Sequence, residues 1–453
     1  MSMGRALGSA LLATSVLALM LSGQTHASLT AGVDATDPAA IFTAANFTGV
    51  ASIRKGSPTN VLWAEAFGTL DFRGSIPMSV TSRFPVASNT KVYVAISLYQ
   101  LQERGLVDLS RPVQDYITQA DMAAFGYPSE STYCPVVAGD KTNTCRNITF
   151  TQLLSMQACI PDYTAFDDLY LPYPGSFAAA FGRYVSRLLV CEPGTVFYYS
   201  NPAFILAGYF VEKLSGFALA EYLAENIHIP LGQKDTYFDP YDGQFGTDLE
   251  RVDEWYDFID NRTGRLLSRG KCSREFDLGS MGGAGGLVST QHDEALLYFA
   301  LFNFSRNFNC APLFKNRSTL IDLVQPRTFI SVYAYDKSLN FYFAQGLFVA
   351  APRVAADPPS EIEYEGEIVC SHTSNRFIPA TYNADGVTEA RPAYMAHAWT
   401  AVRVYYTSPK ALVDARWRAV GPLSSIVSRW QPRPALSSLS FRLMQLFQAW
   451  LNF

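Results

Sequence analysis

The rhythm of hydrophobic positions changes twice along the chain. From Gly49, the segments "GVASIRKG" and "VLWAEAFGTL" read as two strands joined by a turn at Gly56, Ser57 and Pro58. The stretch "SNTKVYVAISLYQLQERG" then takes helical spacing. Val92, Ala95, Ile96, Leu98, Tyr99 and Leu101 place apolar side chains on most of its faces, so this helix is expected to be buried rather than amphipathic, and to stop at Gly105. From about Leu109 to Thr290 the segments "TFTQLLSMQA", "SFAAAFGRYVSRLLV", "PAFILAGYFVEKLSG" and "ALAEYLAENI" keep helical spacing. Alternation returns from Leu339 in "LNFYFAQGLFVA", and later in "TAVRVYYTS". Strands at both ends with helices between imply an α/β (α+β) fold: one sheet built from both ends of the chain, with a helical subdomain (about 109–290) beside it.

The two ends of the chain read differently. "MSMGRALGSALLATSVLALMLSGQTHASL" has one positive charge at Arg5, an apolar run from Ala6 to Leu21 and small residues around Ala27. That is the layout of a signal peptide over 1–27, leaving a main domain over 28–430 and no membrane span after cleavage. A tail over 431–453 places Leu439, Leu443, Leu446, Phe447 and Trp450 on one helical face, expected to dock on the fold.

Composition adds compartment and excludes partners. Asn46, Asn147, Asn261, Asn303 and Asn316 each open an N-x-S/T triplet, and seven cysteines suit an oxidising compartment. A secreted glycoprotein, in the secretory-pathway lumen or outside the cell, is therefore expected. No C-x-x-C pair occurs, which argues against zinc and thioredoxin-type chemistry. Cys134 with Cys145 and Cys272 with Cys310 are the expected disulfides. The formal net charge of -5 gives no footprint for nucleic acid, and no cofactor is implied.

Candidate chemistry starts at Ser88-Asn89-Thr90-Lys91. Positions i and i+3 share a helix face, and a serine hydroxyl becomes a nucleophile only when a neighbour takes its proton. An amine buried among apolar side chains loses basicity and can do so. S-x-x-K alone arises by chance, so a second piece matters: "PGTVFYYSNPAF", where Tyr199 and Asn201 lie two residues apart just before a helix. A phenol there could relay the serine proton, and an amide could hold the lysine and a substrate carbonyl. Ser200 or Asn201 could equally cap the helix, with Pro202 in its first turn.

These motifs, in this order, resemble the penicillin-recognising serine hydrolases, especially the class C β-lactamase-like branch. "FTGVASIRKG", "LWAEAFGTLDFRG", "FPVASNTK", "GLVDLSRPVQDYI", "ITFTQLLSMQACI", "PGTVFYYSN", "IHIPLGQKDTYF" and "GGAGGLVSTQHD" follow the family's sequence of segments. The resemblance implies a β-lactamase/transpeptidase-like fold with an antiparallel sheet. It implies roles as well: Ser88 as nucleophile, Lys91 as its base, Tyr199 as proton relay and Asn201 as a contact to lysine and substrate. The family's third motif, Lys or His followed by a small residue and usually Gly, has no direct counterpart. His372-Thr373-Ser374 and His397-Ala398-Trp399 are the two candidates. Spacing from Gly346-Leu347-Phe348 and the small Ser374 favour His372, with an oxyanion donor near Ser374 or Asn375. Where relatives often carry Ser-Gly, this chain has Ala158-Cys159; Cys159 and Cys191 could form a disulfide tying that segment to the loop before Tyr199, or both could be buried thiols.

The implied activity is acyl transfer from an ester, amide or lactam carbonyl of a small-molecule or peptide substrate. The rival reading is a non-catalytic binding protein on the same fold with a degenerate third motif. A lipase-like hydrolase is disfavoured because no G-x-S-x-G elbow occurs.

Overall fold

The computed structural model describes residues 38–44, 47–163, 174–239, 251–260, 263, 265–271, 278–304, 313–332, 338–352, 359–368, 370–400 and 402–406. The expected signal peptide, the tail over 431–453, Asn46 and Asn261 lie outside them.

Eight strands form the main sheet: β1 (Gly49–Lys55), β2 (Val61–Phe67), β3 (Thr328–Val332), β4 (Leu339–Phe343), β5 (Phe348–Pro352), β6 (Glu361–Ile368), β7 (Ser371–Ile378) and β8 (Tyr394–Thr400). Their order is β2-β1-β8-β7-β6-β5-β4-β3, and every neighbouring pair is antiparallel. β1 thus pairs with β8, closing one sheet from both ends as expected, but the alternating stretch "TAVRVYYTS" is not part of it: its strand Val402–Tyr406 runs parallel to Trp255–Ile259 in a separate three-stranded sheet.

Period two decides which side chains meet which layer. In β1, Val50 joins the large core, whereas Ala51 and Ile53 point the other way into a smaller cluster with Phe42 and Phe47. Ala396 and Ala398 of β8 and Ile378 of β7 share that smaller cluster. Phe42 belongs to the short helix Pro38–Ala44, which covers this back face.

The front face carries the helices. Helix α1 (Thr90–Glu103) is buried at every residue from Thr90 to Leu101, so it is a core helix with no solvent face, as its sequence predicts. It ends beside Gly105, whose φ of 73° is the left-handed turn expected there. Helix α2 (Asn201–Ser215) packs against α1, capped by Ser200, whose hydroxyl accepts from Ala203 N at 3.2 Å. Helix α3 (Gln291–Leu301) follows the glycine-rich segment and starts at the capping Thr290. The segments "TFTQLLSMQA" and "SFAAAFGRYVSRLLV" form shorter helices than their spacing suggests, Phe150–Leu154 and Phe177–Gly182.

Disulfides join Cys134 to Cys145 and Cys159 to Cys191. The expected Cys272–Cys310 pair falls outside the described residues. Cys370 is itself disulfide-bonded.

Candidate active site

Ser88 lies in the single turn Ala87–Asn89 that leads into α1. Ala87 before it has φ of 44°, a left-handed conformation that a residue with a Cβ adopts at a cost of roughly 1–3 kcal/mol. The turn fixes the serine at the mouth of the helix, with about 9% of its surface exposed.

One turn on, Lys91 is fully buried. Its Nζ lies 2.9 Å from Ser88 Oγ, 2.8 Å from Asn201 Oδ1 and 2.7 Å from the Ala284 carbonyl. Burial lowers its pKa to about 7, against an opposing pull from the Asp162 carboxylate. Tyr199 donates to Ser88 Oγ at 2.7 Å, and its ring centroid is 5.0 Å from the lysine nitrogen. Burial pushes the Tyr199 phenol up to about 12, so it stays protonated at neutral pH. All four residues expected from the two motifs therefore meet in one cluster. Because Ser200 takes the capping role on α2, Asn201 is left to face the lysine.

Sequence reasoning missed three supports. Asp162 Oδ1 accepts from Asn201 N at 2.7 Å and from Asn201 Nδ2 at 3.1 Å, which turns the amide oxygen toward Lys91. The Ala284 carbonyl reaches the same amine because "GGAGG" threads between α1 and α2. A Cβ on Gly283 would sit 2.5 Å from the Phe204 carbonyl and 3.1 Å from Val94 Cγ2. The glycines were visible in the sequence; their duty as a wedge was not.

The third support overturns the placing of the third motif. The strand against the Ser88 turn is β6, and the residue at the contact is Gly366. A Cβ there would lie 2.1 Å from the Val86 carbonyl and 3.0 Å from Asn89 Nδ2. Tyr364, two residues earlier on the same face, is fully buried beside Tyr199. His372 sits on β7, one strand further away. Its neighbour Thr373 faces the nucleophile turn, receiving Asn89 Nδ2 at 3.0 Å, so the pleat turns His372 to the back face. There its Nε2 lies 4.0 Å from Glu365. The structure does not bring His372 to Ser88, and Ser374 shares its back-facing position. Asn375 faces front but is engaged elsewhere: its Nδ2 donates to Asn89 Oδ1 at 2.9 Å. His397 is front-facing and fully buried, but its contact is Asn375 Oδ1 at 2.9 Å, away from the serine. A glycine inside an otherwise alternating strand, E-Y-E-G-E, was the available signal, since such a glycine marks close backbone approach.

Pairing of β6 with β5 covers Glu361–Glu363 and stops short of Gly366, the residue packed against the Ser88 turn. Two further constraints act on the segment leading into Tyr199. The Cys159–Cys191 disulfide ties it to the loop after helix Phe150–Leu154, and Tyr198 N donates to the Met156 carbonyl at 2.7 Å.

The family model described as Beta-lactamase matches residues 44–330, more than half of the 453. The chain belongs to the beta-lactamase family. Curated relatives include a penicillin-binding protein of Bacillus subtilis (strain 168), 22% identical over 197 residues, which are 42% of this chain and 38% of that one. A putative D-alanyl-D-alanine carboxypeptidase of Salmonella typhimurium is 24% identical over 241 residues, 50% of this chain and 52% of that one. The chain thus spans about half or less of the length of these family members. Among solved structures, the penicillin binding protein of Bacillus halodurans aligns with a TM-score of 0.58 at 20% identity, covering 84% of this chain and 98% of that one. Simvastatin synthase of Aspergillus terreus aligns with a TM-score of 0.56 at 18% identity, covering 88% and 100%. Those likenesses establish the β-lactamase/transpeptidase-like fold, with its antiparallel sheet and flanking helices.

Proposed function

We propose that the protein is a serine hydrolase that forms an acyl-enzyme on Ser88. The observation that carries this reading is the hydrogen-bond count at Lys91. A neutral amine has two hydrogens and one lone pair. Asn201 Oδ1 and the Ala284 carbonyl are fixed acceptors for the two hydrogens. The lone pair is then left for the third neighbour, the Ser88 hydroxyl. A base so oriented, with a pKa near working pH, is what activation of a serine requires.

In the first step the Ser88 O–H bond breaks as its proton moves to Lys91 Nζ and Oγ bonds to the substrate carbonyl carbon. The carbonyl π pair moves onto oxygen, facing the Ser88 N–H and a backbone N–H of β6 near Gly366. Oriented backbone donors of this kind contribute about 3–4 kcal/mol each to a transition state. The intermediate collapses when the bond to the leaving group breaks and Tyr199 protonates the leaving atom. The proton held by Lys91 then restores Tyr199. Water repeats the cycle on the acyl-enzyme and releases the acid.

Esters, amides and lactams all fit this chemistry, and the relatives' names include carboxypeptidase and amidase. Export into an oxidising compartment forms part of the proposal. It is supported by the disulfides and by Asn147 and Asn316, exposed glycosylation triplets on the described surface. The test is a fluorophosphonate probe on the purified protein beside Ser88→Ala. Labelling of the wild type alone is expected; equal labelling of both, or none on folded wild type, would remove the reading and favour a binding protein.

A further inference from the structure

The residue that decides whether Lys91 can act as a base lies outside the four that meet at Ser88. An amide has an acceptor end and a donor end, and its neighbours decide which way each points. Asn201 turns one end of its amide toward Lys91 and the other toward Asp162. Two arrangements are conceivable: Oδ1 faces the amine and Nδ2 the carboxylate, or the two are exchanged.

Asp162 allows only the first. Its Oδ1 accepts from Asn201 Nδ2 at 3.1 Å, and a carboxylate has no hydrogen to offer an amide oxygen in return. The same Oδ1 accepts at 2.7 Å from Asn201 N, one of the first N–H groups of α2, which no helical carbonyl can reach. Asp162 is buried, and its own N–H donates to the Tyr198 hydroxyl at 3.3 Å, so its place is fixed by the segment that leads into Tyr199.

The consequence falls on Lys91. Asn201 Oδ1 at 2.8 Å and the Ala284 carbonyl at 2.7 Å take the two hydrogens of the neutral amine, and its lone pair points at Ser88, 2.9 Å away. In the exchanged arrangement Nδ2 would donate to that lone pair. The amine would then offer Ser88 a hydrogen instead of a place for one, and the serine would have no base. An acidic anchor for the start of α2 accounts for the contact to Asn201 N but not for the one to Nδ2.

We propose that Asp162 is a positioning residue: acting through Asn201, it points the lone pair of Lys91 at Ser88. The proposal rests on the serine hydrolase reading and adds a fifth residue to it. The phenols around this group are Tyr199 near Lys91, and Tyr163 and Tyr198 near Asp162. Burial raises each of them above its ordinary value, so all three stay protonated while Lys91 titrates.

The test is the pH dependence of fluorophosphonate labelling at Ser88 in the full chain, which needs no knowledge of the substrate. Asp162→Leu, close in size but with no acceptor, should lower the plateau rate by about ten-fold or more. In an Asn201→Ala background, with no amide left to orient, the same change should add less than about two-fold. Asp162→Asn keeps an oxygen for Asn201 but loses the charge that favours protonated Lys91. It should hold the plateau within about three-fold and move the limb to lower pH by about one unit. A folded Asp162→Leu with the wild-type plateau, or one whose loss is just as large beside Asn201→Ala, would overturn the proposal. If Asp162→Leu does not fold, the limb of Asp162→Asn decides: an unmoved limb means that no ionised carboxylate faces Asn201, and its orientation is then unforced. No labelling of folded wild type removes the serine hydrolase reading itself. Ser88-dependent labelling that is indifferent to the Asp162 variants sinks only this inference.

Discussion

Two buried polar clusters hang from the start of α1, and they differ in one respect. On one side Ser88 and Lys91 meet Tyr199 and Asn201. On the other, Asn89 and Tyr93 meet Asn375, Glu294 and Gln233. Tyr93 donates to Glu294 Oε1 at 2.7 Å, and Asn375 Nδ2 donates to Asn89 Oδ1 at 2.9 Å with a longer contact to Glu294 Oε2 at 3.4 Å. Trp399 Nε1 at 2.8 Å and His397 Nδ1 at 2.9 Å both address Asn375 Oδ1. Each cluster contains an acid or amine that burial drives toward its neutral form: Lys91 down to about 7 and Glu294 up to about 8. The difference is access. Ser88 keeps about 9% of its surface exposed, whereas Asn89, Glu294 and His397 are sealed at 0%. A strongly perturbed group marks a reaction centre only when a nucleophile and an opening share it; otherwise it fastens layers together. Here the sealed cluster joins α1, α3 and β7 immediately behind the nucleophile, and so holds the turn that carries Ser88.

Breaking the open cluster should have the largest effect on activity and a small one on stability. Lys91→Met, a near match in volume without a base, is expected to reduce acylation of Ser88 by about a thousand-fold or more, measured as kcat/KM on a chromogenic ester. Gly366→Val comes next, because its side chain must displace the Val86 carbonyl. A loss of about a hundred-fold in kcat/KM is expected, with a lowered unfolding midpoint.

The sealed cluster should respond in stability. Glu294→Ala leaves the buried Tyr93 hydroxyl without its acceptor, removes one contact of Asn375 and opens a void, and is expected to cost about 2–4 kcal/mol in denaturant unfolding. Glu294→Gln keeps the size and a neutral acceptor, and should cost much less. The pH sign separates the two variants from wild type. Burial raises the folded pKa of Glu294 to about 8, so its contribution is fully present below the ordinary carboxyl value and fades as pH rises toward about 8. Wild-type stability should fall across that window, and Glu294→Gln should flatten the fall. Smallest of all is His372→Ala, expected to leave kcat/KM within about two-fold because the residue faces away from the serine. A large loss there would restore the role its spacing suggested.

Much of this was legible before any coordinates. The buried character of α1 followed from apolar residues on all its faces, and the sheet closed from both ends because alternation reappeared after Leu339. Ser88, Lys91, Tyr199 and Asn201 were readable because each pair sits within four residues, where local geometry fixes mutual placement. The disulfide Cys134–Cys145 was anticipated, and Cys159–Cys191 decides for the disulfide between the two readings left open. The strand packed against the Ser88 turn was not found, since looking for a histidine or lysine led past Tyr364 and Gly366. Spacing placed His372 near the right strand, but one strand over and on the wrong face of the pleat. Asp162 and the Ala284 carbonyl were invisible for another reason: one acts through a backbone N–H and an amide, the other has no side-chain chemistry at all. Such contacts depend on how α2 and the glycine segment pack against α1, which local pattern does not encode.

The central claim is that a neutral Lys91 is the base for Ser88. The direct measurement is the rate of fluorophosphonate labelling of Ser88 as a function of pH, with tyrosine ionisation followed in parallel. The rate should rise with pH through an apparent pKa of about 7 and then level, with Tyr199 un-ionised until far more alkaline conditions. A labelling rate flat from pH 5 to pH 9, or a limb near 7 that survives in Lys91→Met, would contradict the account.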